Sequence, residues 1–369
     1  MRVSVVCLAS RSGGGLTILK DLFNYVSEHG RDHEWQFILS DQDLGPEPHN
    51  VHVVQAARPY RGKFSRLRGE FLDGRRAISK FRPDVVLSLQ NVDTPARGKV
   101  PLAVYMHQAL PFSNSYRFSL LKPDERSLAF RQRLLRIPIL HSIRRANVTF
   151  VQTKWLAREL SDREPKCKIV PIGYNVPANK FVVEKQRVTG FFYPASRASY
   201  KGHRLLHEGI KRFRAKSADA QTADFTLTIE KENLQQVTGA TSELELSWYK
   251  PIGQISWATM AEIYSKSILV FPSFVESLGL PLYEAKQSGI AIVASDAEYS
   301  REALENYEDV YWFRSGNPKS LADAMQAAWS DRKASSQGLL PDTDDINPWQ
   351  SMIGELENMF KISSGDITE

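Results

Sequence analysis

One stretch, residues 267–296 with the sequence SILVFPSFVESLGLPLYEAKQSGIAIVASD, constrains the fold of this chain more than any other. Residues 268–271 form a short unbroken apolar run, the pattern of a strand buried on both faces of a parallel sheet. Pro272 and Ser273 end it, and a loop with Glu276, Ser277 and Gly279 follows. Pro281 stands where a helix begins, a position that suits proline because its missing N–H has no intrahelical partner there. Residues 282–287 carry the helix, Gly289 caps its C-terminus, and 290–294 form the next apolar strand. Such a strand–loop–helix–strand unit places its loop at the carboxyl end of the strand, where open α/β sheets take their ligands. Backbone N–H groups around Gly279 and Leu280 favour an anion such as a phosphate in that crevice. Glu276 in the loop and Glu284 in the first helical turn aim carboxylates at the same opening. Carboxylates only accept, and so match the donating hydroxyls of a sugar or a ribose.

Two glutamates eight residues apart on a bare helix are weak evidence, since exposed charges are usually just solvated. Set in this strand, loop and helix, they read as ligand-binding groups. The segment ESLGLPLYE resembles the E-x7-E signature of the retaining glycosyltransferases of GT-B fold, in particular the large family 4. The preceding VFPS and the following G-x-x-x-V-x-S-D are similar to the same family pattern. The resemblance implies two Rossmann-like, doubly wound α/β domains facing a cleft, with a nucleotide-diphosphate sugar as donor. It also implies roles: Glu284 on the ribose hydroxyls, Glu276 on the transferred sugar ring, and Ser277, Gly279 and Leu280 around the donor.

Length and charge set the frame for the rest. A chain of 369 residues is long enough for two domains with their own cores. No apolar stretch approaches the roughly 20 residues that span a bilayer, and MRVSVVCLAS reads as a first strand, not a signal peptide. Cys7 and Cys167 make no disulfide framework, so a reduced, cytoplasmic compartment is expected. With no Cys/His cluster, no metal site is expected. The net charge of +6 is uneven: residues 1–170 hold 28 Lys and Arg against 16 Asp and Glu, and the remainder is acidic overall. Opposite halves argue for two units with different partners, the basic one suited to an anionic membrane surface, a phosphate-bearing acceptor or nucleic acid.

Along the chain, strands are expected at 3–8, 36–39, 51–54, 85–89, 103–106 and 148–152, alternating with helices as in a doubly wound parallel sheet. Between the first strand and a helix over 16–28 lies SRSGGG, whose Gly13, Gly14 and Gly15 form a tight turn or an anion-tolerant wall of a cleft; it is not a dinucleotide fingerprint. Family members carry similar glycines facing the cleft. His107 stands at the carboxyl end of a strand, where it can face a ligand and titrate. HQALPF resembles the family's histidine-containing strand end, which makes His107, with Glu276, the expected active-site pair. Before Pro83 a helix is flanked by Arg66, Arg68, Arg75, Arg76, Lys80 and Arg82.

Residues 117–145 mix leucines and phenylalanines with seven arginines and Lys122. They form either a basic amphipathic helix on a membrane interface or a helix with its leucines on the sheet and its arginines in water. Pro138 is expected to interrupt any single long helix. No aromatic interleaving of the kind that stacks bases is evident, so nucleic acid is not an expected partner.

The second domain opens with GFFYPASRASYKGH. Arg197, Lys201 and a helix N-terminus at His203 converge on one loop, an arrangement suited to a diphosphate. The family shows G-R…K-G here, whereas this chain has Ser196 for the glycine and a shorter spacing. Gly253, within IGQIS, resembles a stretch that lies against the nucleobase in relatives. The domains are expected over 1–175 for the acceptor and 186–345 for the donor, with 346–369 as a helix packing back on the first. The expected activity is transfer of a sugar from a nucleotide sugar to an acceptor hydroxyl, with retention and without a metal or other cofactor. The acceptor is expected to be a lipid-linked saccharide of lipopolysaccharide or capsule synthesis, reached by peripheral attachment to the inner face of the plasma membrane. The rivals are a GT-B nucleotide-sugar epimerase and a glycosyltransferase-like binding protein without turnover.

Overall fold

A computed structural model describes residues 1–8, 10, 14–55, 73–174, 186–332 and 347–364. Gly13, Arg66, Arg68 and most of the expected interdomain linker lie outside the described residues. The chain divides into two compact units, one of Met1–Phe112, Arg133–Tyr174 and Ile346–Glu369, the other of Ser113–Gln132 and Asn175–Asp345.

The first unit is built on a seven-stranded sheet. Its strands are β1 (Arg2–Cys7), β2 (Glu34–Leu39), β3 (Val51–Gln55), β4 (Val85–Ser88), β5 (Leu102–Met106), β6 (Val148–Val151) and β7 (Ile169–Pro171). They are paired in parallel in the order β3-β2-β1-β4-β5-β6-β7. All four residues of β4, all five of β5 and all four of β6 are buried, which is why the sequence shows near-continuous apolar runs, with only Ser88 and Thr149 polar, instead of alternation. The helix Gly14–His29 lays Leu19, Leu22 and Val26 on Val3, Val5 and Phe37. The last helix, Pro348–Ser364, adds Trp349, Met352, Leu356 and Met359, spaced to share one helical face, to the same core. At roughly 2 kcal/mol for each buried apolar side chain, that stripe holds the C-terminal helix to this unit. The ion pair of Lys168 with Glu355, at 2.5 Å, sits on its rim.

The second unit has six parallel strands: β8 (Gly190–Tyr193), β9 (Asp224–Leu227), β10 (Tyr249–Pro251), β11 (Ser267–Phe271), β12 (Ile292–Ser295) and β13 (Val310–Phe313), in the order β10-β9-β8-β11-β12-β13. The strand order therefore reverses at β1/β4 in the first sheet and at β8/β11 in the second. Such switch points open a crevice at the carboxyl ends of the strands.

Two expectations need correction and a third is met in detail. Ser113–Gln132, expected in the first domain, belongs to the second unit. It is anchored there by Glu298, which accepts from Ser113 Oγ at 3.3 Å, from the Asn114 N–H at 3.0 Å and from Ser115 Oγ, while Tyr116 stacks on Phe274 at 4.1 Å. The basic segment is interrupted as expected: its helices are Arg126–Leu134 and Arg136–Arg145, and the N–H that Pro138 lacks is the one that would have reached the Leu134 carbonyl. The strand expected at 290–294 begins at Ile292, because Gly289, at φ +63°, and Ile290 are used to cap the preceding helix through their N–H groups. Among the described residues no helix is long and apolar enough to cross a membrane.

Candidate functional site

In the second unit the switch-point crevice is formed by the loops that follow β8 and β11. Gly202 lets them meet: its φ is +72°, and a Cβ there would stand 2.4 Å from the Pro272 carbonyl oxygen. The Phe274 N–H donates to the Tyr200 carbonyl at 2.9 Å across the same seam. Held by this contact, Lys201 Nζ lies 2.6 Å from Glu276 Oε1, with the two side chains only 14% and 12% exposed. Burial works against the charge on Lys201, but the neighbouring Glu276 carboxylate outweighs it and holds the ammonium above its ordinary pKa. Ser273 Oγ donates to Glu276 Oε1 at 2.5 Å, and the Tyr193 hydroxyl donates to the Lys201 carbonyl at 2.7 Å. The expected cation and carboxylate are thus one oriented pair.

Glu284 lies deeper. It is buried in the helix Leu280–Ser288, and the fully buried Tyr264 donates to its Oε2 at 2.9 Å. Burial pushes the Glu284 carboxyl up to about 7, and the Tyr264 hydrogen bond pulls it partly back. Gly279, at φ +76°, is the N-cap of that helix, and Leu280 is its first residue, so their N–H groups lie at its positive end. Ser277 stands in the loop two residues before. Gly253, at φ +64°, faces the Glu230 side chain so closely that a Cβ would fall 2.6 Å from the carboxylate.

Arg197 is placed differently from the expected diphosphate pair. Its guanidinium donates to Asn233 Oδ1 at 2.7 Å and lines a cavity of about 660 Å³ with Lys122, Phe118, Arg204 and Phe274.

In the first unit, the carboxyl ends of β1, β4 and β5 bring together Gly14, Gly15, Asn91 and His107. His107 follows β5 directly. Its N–H donates to Asn91 Oδ1 at 2.7 Å, and Asn91 Nδ2 lies 3.2 Å from its Nε2. Enclosure of the ring lowers its pKa to about 4, so it is neutral at physiological pH. A Cβ on Gly15 would stand 3.4 Å from His107 Nε2 and 2.6 Å from Ser10 Oγ; around Gly14 there is open space.

Four residues in these crevices were given no role from the sequence: Asn91, Tyr193, Tyr264 and Ser273. Asn91 and Tyr264 reach His107 and Glu284 from other elements, Tyr193 reaches the Lys201 carbonyl, and Ser273 reaches Glu276 from within the same loop. The signal nearest to hand was Ser273, which lies in the VFPS segment that resembles the family pattern.

Residues 178–337 match the family glycosyl transferases group 1. The N,N'-diacetylbacillosaminyl-diphospho-undecaprenol alpha-1,3-N-acetylgalactosaminyltransferase of Campylobacter jejuni is 38% identical over 66 residues, a stretch that covers 18% of this chain and 18% of that relative's length. In structure the chain is similar to the sucrose-phosphate synthase of Thermosynechococcus elongatus, with a TM-score of 0.69 at 12% identity over 98% of this chain and 100% of the other. It is also similar to Anabaena HepE, solved in complex with UDP and glucose, with a TM-score of 0.63 at 15% identity over 97% and 100%.

Proposed function

We propose that this chain, whose residues 178–337 match the glycosyl transferases group 1 family and whose fold is GT-B, transfers a sugar from a nucleotide-diphosphate sugar to an acceptor hydroxyl, with retention at the anomeric carbon. The observation that carries this reading is the Lys201–Glu276 pair, 2.6 Å apart at a switch-point crevice beside the N-terminus of the helix that bears Glu284. As the donor breaks down, negative charge builds on the leaving diphosphate. Lys201 and the N–H groups at Gly279 and Leu280 meet that charge without a divalent cation. Glu284 holds the ribose hydroxyls and Glu276 the transferred sugar, both as acceptors from O–H donors. The first unit receives the acceptor.

Hydrolysis of a panel of nucleotide sugars without acceptor, with product identification and with excess chelator in a parallel arm, tests this reading. Release of free sugar and nucleotide diphosphate, undiminished by chelator, is the expected result. An epimerised sugar product supports the epimerase instead, binding without turnover supports an inactive binding protein, and turnover restored by magnesium refutes metal independence.

The acceptor in this reading is a lipid-linked saccharide, in keeping with the diphospho-undecaprenol named for the Campylobacter relative, and the enzyme works peripherally at an anionic membrane. Support comes from residues 120–137, where Leu121, Phe130 and Ile137 are 88%, 59% and 69% exposed among Arg131, Arg133 and Arg136. Apolar anchors interleaved with arginine suit a lipid interface, each cation contributing about 1 kcal/mol near an anionic surface. Co-sedimentation with vesicles should rise with anionic lipid and fall with salt, and R131E/R133E/R136E should release the protein with nucleotide affinity intact. Indifference of the wild type to anionic vesicles at low salt would sink the membrane reading.

A further inference from the structure

His107 is the one titratable side chain at the mouth of the first unit's crevice that the sequence marks for acid–base work. Its environment argues for something else. Asn91 sits in the turn after β4, one strand away, and grips the histidine twice. The first contact, 2.7 Å from the His107 backbone nitrogen, fixes which way the Asn91 amide points. A backbone N–H only donates, so the atom facing it must be the amide oxygen. The amide –NH2 is thereby turned toward His107 Nε2 at 3.2 Å. Two donors cannot face each other, so Nε2 accepts, and the single proton of the neutral ring sits on the buried Nδ1.

The backbone at Asn91 demands the same residue type. Its φ is +65°, a left-handed conformation that asparagine, aspartate and glycine adopt with little penalty. Gly15 leaves room at the other side of Nε2, where a Cβ would stand 3.4 Å away. Among the described residues Tyr105 is a titratable group alongside, its ring centroid 6.3 Å from that of the imidazole and its pKa raised above the ordinary phenol range by burial. Burial is the cause of the histidine's own low pKa.

We propose that Asn91 is a positioning residue that locks His107 as the neutral, Nδ1-protonated tautomer with its Nε2 lone pair already engaged, so that His107 is a fixed neutral wall of a sugar subsite and not the base that deprotonates the acceptor. The tautomer follows from this structure alone; its use at a sugar subsite rests on the glycosyltransferase reading above. A histidine that gives its only free lone pair to a neighbouring amide cannot take a proton from a hydroxyl without first breaking that hydrogen bond. A neutral imidazole held in one orientation still shapes and polarises a binding site.

Two substitutions separate the parts of this proposal. Asn91→Gly keeps the left-handed backbone unstrained and removes both hydrogen bonds. Asn91→Asp keeps an acceptor for the His107 N–H but sets a second acceptor against Nε2, which then favours the opposite tautomer and a charged ring. Nitrogen-15 NMR of histidine-labelled full-length protein, with His107→Gln to identify the resonances, reads the tautomer directly and needs no substrate. The expected wild-type result is a protonated Nδ1 and an unprotonated Nε2, unchanged from pH 5.5 to 8.5. In Asn91→Asp the proton should move to Nε2, and kcat/KM for sugar transfer should gain an acid limb that the wild type lacks. Asn91→Gly should lower kcat about tenfold with the melting temperature retained. A wild-type ring protonated on Nε2, or one that titrates inside that pH range, overturns the tautomer assignment whether or not the protein transfers sugar. A changed tautomer in both variants with turnover kept within twofold overturns the positioning role.

Discussion

The two units build their crevices on one plan and furnish them in opposite ways. Each is a parallel sheet whose strand order reverses once, at β1/β4 and at β8/β11, and each gathers its marked residues at the carboxyl ends beside that reversal. Among the described residues the first crevice is lined by neutral groups: glycines 14 and 15, Asn91, and a His107 that burial keeps uncharged down to about pH 4. The second is charged, with Lys201 against Glu276 and a buried Glu284 that titrates near neutrality. The fold supplies the opening, and the few side chains at the strand ends decide what enters it. A neutral crevice suits a ligand that stays uncharged throughout. A crevice with a paired cation suits one whose charge grows during the reaction.

The contrast breaks most visibly at Lys201. Lys201→Met removes the cation from the leaving diphosphate and leaves Glu276, only 12% exposed, without its partner. Removing one preorganised group aimed at developing charge costs on the order of 10²–10³ in turnover. Single-turnover kinetics on the nucleotide sugar should show a loss of that size, with a smaller loss in affinity for the donor. A loss under fivefold would mean that the charged crevice has no more to do with the chemical step than the neutral one.

That difference was only half legible in the sequence. The parallel strands could be read because strands buried on both faces are near-continuous apolar runs, and 85–87, 102–106 and 268–271 are such runs. Glu276, Glu284 and Lys201 could be read because they lie within short motifs beside strands. Tyr264 and Asn91 could not. Each reaches its partner from another element, across 20 residues to Glu284 and 16 to His107, and a hydrogen bond between distant residues leaves no periodicity in the chain. The transfer of Ser113–Gln132 to the second unit was hidden for the same reason. Its anchor, Glu298, lies more than 180 residues away. Arg197 could be read from its place in the same motif as Lys201, but its hydrogen bond to Asn233, 36 residues away, could not.

The pH dependence of the two crevices sharpens the comparison next. Glu284 has its pKa raised to about 7 by burial, and hydroxyl donors bind its ionised form. Affinity for a free nucleotide diphosphate should therefore increase about tenfold from pH 6 to pH 8. Tyr264→Phe removes the donor that lowers this pKa and should move the rise to higher pH, while Glu284→Gln should abolish Glu284's share of it. Calorimetry across that range measures all three. The same group affects stability with the opposite sign. Its folded pKa lies above the ordinary glutamate value of 4.5, so between about pH 4.5 and 7 the unfolded chain gives up the proton first and this contribution to stability declines. His107, already neutral above about pH 4, should add nothing to either curve across pH 6–8. A nucleotide affinity that is flat with pH would remove Glu284 from the ribose.

The smallest expected effect is at Gly14, and it asks whether the neutral crevice is shaped for a ligand at all. Glycines occur in both crevices for different reasons. Gly202 is fixed by the structure, because its φ is +72° and a methyl there would collide with the Pro272 carbonyl. Gly14 has no such requirement. It opens the helix Gly14–His29 at an ordinary φ, with no atom within 4 Å of where a Cβ would stand. Replacing such a glycine with alanine narrows the unfolded ensemble and favours the helix, which stabilises a protein by about 0.4–1 kcal/mol. Gly14→Ala should therefore leave the melting temperature unchanged or slightly raised. If this crevice admits a sugar close to the backbone, the added methyl should raise KM for the acceptor severalfold at unchanged kcat, since it crowds ground state and transition state alike. If neither stability nor KM falls outside error, the glycine run is a turn and nothing more, and the first crevice is defined by Asn91 and His107 without it.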